Sequence, residues 1–213
     1  MRVGVVGGMG PAAGLHVASR IVAGTPAERD ADHLEMVVWS VPNVPSRVEG
    51  FRGGASPLGA LVDAVDGLER AGCDVFVLAC NGAHAWWDEL TFRVGIPGLS
   101  MVDAAVDALA ARGLARVGFV GSSATRESQV WARALVAADI VPVTCSPPEQ
   151  AVVDRAIDRV KGGTLDRDLE LDRIVGRLHS PAVVAACTEL PLILPGLVDP
   201  ADALAPRLLE MAA

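Results

Sequence analysis

The chain has 213 residues, and 51% of them are hydrophobic, which provides enough apolar material for one α/β domain or two compact ones. The formal net charge of -8 and the lack of a Lys/Arg cluster argue against a nucleic-acid partner or an anionic membrane surface, while allowing a local basic pocket for a small anion. No long apolar span or signal peptide is recognisable, so we expect a cytoplasmic protein.

The first half of the chain alternates predicted strands and helices. The predicted strands cover residues 2–6, 34–39, 75–79 and 94–99. The predicted helices cover residues 12–23, 58–70 and 101–111, and another begins over residues 83–89. The strand at 75–79 is a continuous apolar run, which is typical of a parallel strand that is buried on both faces.

The second half repeats this alternation. The predicted strands cover residues 116–121, 140–143 and 181–186. The predicted helices run from the Ser/Thr loop at 122–125 to about residue 138, then over 149–161 and 165–178, with a last one opening at 200. The repeat predicts an α/β fold with two pseudo-symmetric parallel-sheet αβα domains, residues 1–100 and 101–197. We expect residues 198–213 to return to the first domain.

Two cysteines occupy the same place in the two halves. Cys80 ends the apolar strand of the first half, and Cys187 ends the corresponding strand about half a chain length later. In open α/β sheets, ligands bind beyond the carboxyl ends of the strands, so both thiols are predicted to face one cleft. The structural alternative is that both are small buried residues, as we interpret Cys73 and Cys145.

The glycine loop at residues 7–11 follows the first strand and precedes a helix, so its N–H groups could hold an anion. Gly8, Gly10 and Ala13 also match the dinucleotide-binding fingerprint. That fingerprint requires an acidic residue at the end of the second strand, where this chain has Ser40. We therefore disfavour a nicotinamide cofactor.

Other cofactors are disfavoured by residue counts and spacing. Lys161 is the only lysine, and it ends a predicted helix before Gly162, a position that is not typical of a Schiff-base lysine. The four cysteines and four histidines show no zinc-ligand spacing. The sequence therefore predicts no metal, pyridoxal phosphate or nicotinamide.

Five motifs together resemble the aspartate/glutamate/hydantoin racemase superfamily, and its aspartate racemase branch in particular. They are Gly7–Pro11, Asn43-x-Pro45-x-Arg47, Cys80–His84, the loop at 122–125 and Cys187–Leu190. The resemblance implies a cofactor-independent amino-acid racemase or epimerase with one catalytic cysteine from each domain, Cys80 and Cys187. It also implies an acidic amino acid, most simply aspartate, as the substrate, and a homodimer.

The resemblance also nominates the residues that bind the substrate. They are Met9, Arg47, Asn81, Gly82, Ser122, Thr125, Lys161 and Thr188. Arg47 and Lys161 match family positions that hold the side-chain carboxylate of an acidic substrate. The family usually has threonine where this chain has Gly82, and the missing side chain is expected to open space beside Cys80 and to admit a bulkier acidic substrate.

Two thiols on opposite faces of a stereocentre suit racemisation, because one removes the α-proton as thiolate while the other delivers a proton as thiol. We expect nearby cations or helix N-termini to lower the pKa of the attacking cysteine. Two alternatives are a maleate isomerase-like relative, in which a cysteine attacks an alkene, and a nonenzymatic protein that binds an acidic ligand. His84 is interpreted as a structural hydrogen-bonding group in preference to an acid or base.

Overall fold

The computed structural model describes residues 1–213 and contains two separate parallel sheets. The strands are β1 (Arg2–Gly7), β2 (Glu35–Ser40), β3 (Val75–Leu78), β4 (Arg116–Val120), β5 (Val141–Val143) and β6 (Val183–Ala185). The helices are α1 (Pro11–Gly24), α2 (Arg47–Phe51), α3 (Leu58–Arg70), α4 (Trp87–Arg93), α5 (Met101–Ala111), α6 (Ser123–Glu127), α7 (Val130–Ala137), α8 (Pro147–Lys161), α9 (Leu169–Arg177) and α10 (Leu204–Ala212). The strand orders β2-β1-β3 and β5-β4-β6 are equivalent, which confirms the predicted fold class.

Helices cover both faces of each sheet, because successive side chains along a buried strand point to opposite faces. Along β3, Phe76 and Leu78 pack with residues of α3, whereas Val75 and Val77 pack with residues of α1 and α10. In the second sheet, α8 and α9 cover one face, and α5 and α7 cover the other. Each sheet therefore lies between two helix layers.

The C-terminal helix packs on the first sheet although it follows the second one in the chain. Leu204 and Leu208 of α10 are fully buried in the apolar cluster that contains Val3 and Val5 of β1. Met101 joins the same cluster, whereas the rest of α5 packs on the second sheet. We keep the division into residues 1–100 with 198–213 and residues 101–197 as a proposal, since one helix contributes to both cores.

The prediction of a strand over residues 94–99 was wrong. Only Gly98 pairs with the sheet, through a single parallel bridge to Phe76 of β3. The segment contains a proline, which has no N–H to donate to a strand ladder. The second sheet has the same feature, a single bridge between Val184 and Val198, which the sequence pattern did not indicate.

The single helix predicted from the Ser/Thr loop to about residue 138 is two helices. α6 ends at Glu127 and α7 begins at Val130, with Gln129 between them in the left-handed region at φ 59°. A left-handed residue cannot continue a right-handed helix, so the chain changes direction there.

Three other boundaries also differ from the prediction. The predicted helix over 83–89 is a 3₁₀ segment, Asn81–Trp86, that leads into α4. The helix predicted from residue 165 begins only at Leu169, because the Asp168 side chain caps its first turn. Arg47 was expected in a loop, but it is the first residue of the short helix α2, which Ser46 caps.

Candidate active site

Most of the predicted site residues meet in one small cavity between the two halves of the chain. Its volume is about 40 Å³, room for roughly three water molecules. The lining residues are Met9, Ser46, Arg47, Val48, Cys80, Gly82, Ser122, Ala124, Lys161, Cys187 and Glu189. A larger hollow of about 530 Å³ between α5 and residues 197–207 contains neither Cys80 nor Cys187. The small cavity has to enlarge before it can hold an amino acid.

The two cavity cysteines enter from equivalent strands. Cys80 follows β3 and Cys187 follows β6, and each side chain is buried, 8% and 7% exposed. Cys187 Sγ donates a hydrogen bond to Glu189 Oε2 over 2.9 Å. Burial, followed by the Glu189 carboxylate, raises the pKa of the Cys187 thiol well above its usual value, against a smaller opposing effect of Lys161. Lys161 does act on Cys187 in the expected direction, but burial and Glu189 outweigh it, so that Cys187 is held as a thiol.

Glu189 is the charged lining residue that the sequence analysis did not nominate; Ser46, Val48 and Ala124 are further lining residues that it did not nominate. Glu189 is 2% exposed, and its second carboxylate oxygen, Oε1, accepts a hydrogen bond from Gly10 N–H over 3.0 Å. A buried carboxylate is rare unless it is paired or hydrogen-bonded. An acidic residue two positions after Cys187, immediately before the apolar Leu190, was the available signal.

Close contacts with the rest of the chain explain why glycine occupies positions 8 and 10 of the loop. Gly8 adopts φ 92°, and a side chain there would lie 2.3 Å from the backbone nitrogen of Val41. A side chain on Gly10 would lie 3.2 Å from Glu189 Oε1, which is tighter than an ordinary contact. The anion that the loop was expected to hold is thus the chain's own carboxylate, from Glu189.

Arg47 and Lys161 are the two cations of the cavity. Arg47 donates to three backbone carbonyls: Nη1 to Val44 and Pro45 over 3.2 and 3.0 Å, and Nη2 to Met9 over 3.0 Å. These bonds leave Nε–H and one Nη2 hydrogen for a carboxylate ligand. The side-chain ammonium of Lys161, the last residue of α8, makes no hydrogen bond or ion pair within the chain.

Asn81 and Thr125 do not line the cavity, although both were predicted to bind the substrate. Asn81 Oδ1 accepts a hydrogen bond from Trp131 Nε1 over 3.0 Å, and its buried Nδ2 has no partner. Thr125 Oγ1 lies 3.2 Å from the hydroxyl of Ser122, which does line the cavity. Both side chains therefore lie immediately behind the wall.

Thr188 also lies behind the wall, and its hydroxyl connects the two halves. Its Oγ1 donates to the carbonyl of Ala79, at the end of the first sheet, over 3.2 Å. At the surface, Arg52 and Glu127 form a two-point ion pair between the halves, with Nε and Oε2 3.0 Å apart. These contacts hold the cleft closed in the described conformation.

Gly82 lies beside Cys80 without any structural need for glycine. Its φ is not in the left-handed region. An added Cβ would meet Ala124, Arg47 and Ser122 at 3.5 to 3.7 Å, which are ordinary van der Waals distances. The missing side chain therefore leaves space in the cavity wall.

The structure favours the structural interpretation of His84. Its Nδ1 donates to the Cys80 carbonyl over 3.0 Å, and its ring stacks on Trp87 with centroids 5.0 Å apart. Burial lowers the pKa of His84 to about 4, so the imidazole is neutral at pH 7. Because it bonds the carbonyl rather than the thiol, His84 supports the turn that presents Cys80.

No group of three or more His, Cys, Asp or Glu side chains is placed to bind a metal ion. None of the helices combines the length and apolar character required to cross a membrane.

Comparison with known proteins places the chain in a family. The family model for Asp/Glu/Hydantoin racemase matches residues 6–208. The structure resembles the Picrophilus torridus aspartate racemase with a TM-score of 0.87 and 29% sequence identity, over 99% of this chain and 94% of that one. An aspartate racemase homologue from Pyrococcus horikoshii OT3 gives a TM-score of 0.77 at 22% identity, over 99% and 98% of the two chains, a likeness of fold alone.

A curated relative, the broad specificity amino-acid racemase of Bacillus subtilis, is 26% identical over 105 residues, or 47% of this chain and 46% of the relative. The aligned part thus spans about half the length of that relative. The family match, by contrast, extends over nearly the whole chain described above, including both cysteine motifs. This chain belongs to the Asp/Glu/hydantoin racemase family.

Proposed function

We propose that this protein is a cofactor-independent amino-acid racemase that uses Cys80 and Cys187 as its acid/base pair and acts on aspartate or a related acidic amino acid. The observation that carries the proposal is that two thiols from equivalent strands of the two halves line one cavity together with two cations. Family membership and the likeness to an aspartate racemase support the same activity.

The proposed reaction removes a proton from one face of the α-carbon and delivers a proton to the opposite face. Cys80, as thiolate, removes the α-proton, and the electron pair stays on the α-carbon, delocalised into the carboxylate. The Cys187 thiol then delivers its proton to the opposite face, so that Cys80 ends as thiol and Cys187 as thiolate. The opposite enantiomer reacts by the reverse sequence.

The substrate assignment depends on Arg47 and Lys161. A side-chain carboxylate could make charge-assisted contacts with two groups: the Arg47 N–H groups that bond no carbonyl, and the unpaired Lys161 ammonium. The hydroxyl of Ser122 provides a donor for the α-carboxylate.

Incubation with single amino acids in deuterated water, followed by NMR of the α-proton, tests the proposal. We expect exchange with inversion of aspartate, loss of that activity in Cys80→Ser and in Cys187→Ser, and wild-type activity in Cys145→Ser. Cys145 is the matched control because its buried thiol lies outside the cavity and bonds Gln150.

The same experiment separates the alternatives. Exchange confined to neutral or basic amino acids would refute the carboxylate-holding role of Arg47 and Lys161. Isomerisation of maleate without any α-proton exchange would favour the isomerase reading. Tight binding of aspartate without turnover, unaffected by either cysteine change, would instead favour a nonenzymatic binding protein.

A further inference from the structure

The two cavity thiols are equally buried but differ in their surroundings. Cys80 is 8% exposed and Cys187 is 7% exposed, and both line the same cavity. The thiol of Cys187 bonds the Glu189 carboxylate, whereas the thiol of Cys80 makes no hydrogen bond within the chain. A difference in their reactivity would thus reflect ionisation rather than access.

The carboxylate of Glu189 is held at both oxygens, and the two contacts come from different halves of the chain. Oε2 accepts from Cys187, which follows β6, and Oε1 accepts from the Gly10 amide at the start of α1. Because Gly10 belongs to the opposite side of the cleft, separation of the halves would remove the second contact. The position of the carboxylate is thereby coupled to closure of the cleft.

The charged groups around Cys187 act in opposite directions. Glu189 favours the thiol, because a thiolate next to a carboxylate places two like charges together in a buried site. Lys161, from α8, favours the thiolate, and the titratable Cys80 and the Arg47 guanidinium complete the charged lining of the cavity. Glu189 is the only one of these groups in hydrogen-bond contact with Cys187.

We propose that Glu189 is a positioning residue that holds Cys187 in its proton-donating form, and that the Gly10 amide fixes Glu189 for this task only while the cleft is closed. The consequence for catalysis, which rests on the proposed racemase function, is that the resting enzyme has one defined protonation state at Cys187, the thiol. In that state Cys187 is the proton donor, so the enantiomer whose α-proton faces Cys80 reacts directly from it.

Alkylation with iodoacetamide, followed by peptide mass spectrometry, tests this inference without any substrate. In the wild-type protein, Cys80 should react at least about tenfold faster than Cys187 near pH 8, because the carboxylate bonded to Cys187 disfavours its reactive thiolate. Glu189→Gln keeps the side-chain volume and an oxygen for the Gly10 amide but removes the charge. It should raise the Cys187 rate by about tenfold and move its pH profile to lower pH.

The control variant is Glu149→Gln, which removes a carboxylate of the same half that bonds Ser146 and Arg177 and does not line the cavity. This variant should leave the pH dependence of alkylation unchanged at both Cys80 and Cys187. Gly10→Ala is a second test, since the backbone there suits alanine at φ -95° and the new methyl would displace the Glu189 carboxylate. We expect it to change the Cys187 profile as well.

Equal reactivity of the two cavity thiols in the wild type, or an unchanged Cys187 profile in Glu189→Gln, would overturn the role of Glu189. An unchanged profile in Gly10→Ala would overturn the coupling to the cleft. Faster alkylation of the buried Cys73 and Cys145 in Glu189→Gln would also count against the inference, because it would indicate general loosening. Since no turnover is needed, these outcomes are distinct from failure of the racemase proposal.

Discussion

Gly82→Ala is expected to make the site more selective without destabilising the fold. The new methyl group would project into the cavity beside Cys80 and meet Ala124, Arg47 and Ser122 at 3.5 to 3.7 Å. These distances require no displacement of a neighbour. The residue is buried at the start of a 3₁₀ segment and does not use the left-handed backbone region, so alanine can adopt its conformation.

The two expected effects can be estimated separately. Replacing glycine at a compatible position stabilises a protein by about 0.4–1 kcal/mol, chiefly by restricting the unfolded chain. For a protein of this size that corresponds to a rise in Tm of roughly 1–4 °C. One methyl group in a substrate pocket changes discrimination by about 10–200-fold. We therefore expect kcat/KM for 3-methylaspartate to fall at least about tenfold while that for aspartate falls less than about threefold.

The assay combines thermal unfolding with α-proton exchange of both substrates in deuterated water. Gly59→Ala is the matched control, because Gly59 lies on the exposed side of α3 with open space around its α-carbon. It should raise Tm by a similar amount and leave selectivity unchanged. A fall in Tm for Gly82→Ala, or an equal loss of activity on both substrates, would refute the reading of this cavity wall.

Two further predictions concern acid stability and assembly. Because the pKa of His84 is lowered to about 4 by burial, the folded chain binds that proton less readily than the unfolded chain, and stability falls as the pH drops from about 6.5 toward 4. The free energy of unfolding should fall by about 2 kcal/mol at pH 5. The variant His84→Asn keeps a donor for the Cys80 carbonyl, and its free energy of unfolding, measured in urea, should fall less between pH 7 and pH 5. An equal fall in the variant and the wild type would contradict the assignment. We also expect a homodimer, so sedimentation at micromolar concentration that gives only the 22.0 kDa monomer would contradict the assembly implied by the family resemblance.

The glycine loop shows how far a local motif can be interpreted. Its sequence is consistent with an anion site, and the structure has an anion there, but it is Glu189 from the opposite end of the chain. Nothing within residues 7–11 distinguishes a bound nucleotide from an internal carboxylate. The absence of an acid after the second strand disfavoured the nucleotide, but the carboxylate bonded to the loop depends on a contact across 179 residues of sequence.

The sequence alone determined the features that arise from local chemistry. Apolar runs bounded by turns gave the strands, their repetition gave the two-sheet α/β fold, and the cysteines that end two of those strands pointed to a shared cleft. The alternation of strands and helices requires no knowledge of distant contacts. For that reason the fold class was predicted more accurately than the helix boundaries near Gln129 and Asp168, which depend on backbone geometry and a side-chain cap.

Only the tertiary structure decided which side chains line the cavity and how the two thiols differ. Thr188 was predicted to bind the substrate, but its hydroxyl bonds Ala79 across the interface. Cys80 and Cys187 are alike in sequence context, yet the tertiary structure places the Glu189 carboxylate against the thiol of Cys187, where burial and that carboxylate raise its pKa. The physical reason is that ionisation of a buried group depends on the charges and solvent within a few ångströms, and these are set by residues far apart in the chain.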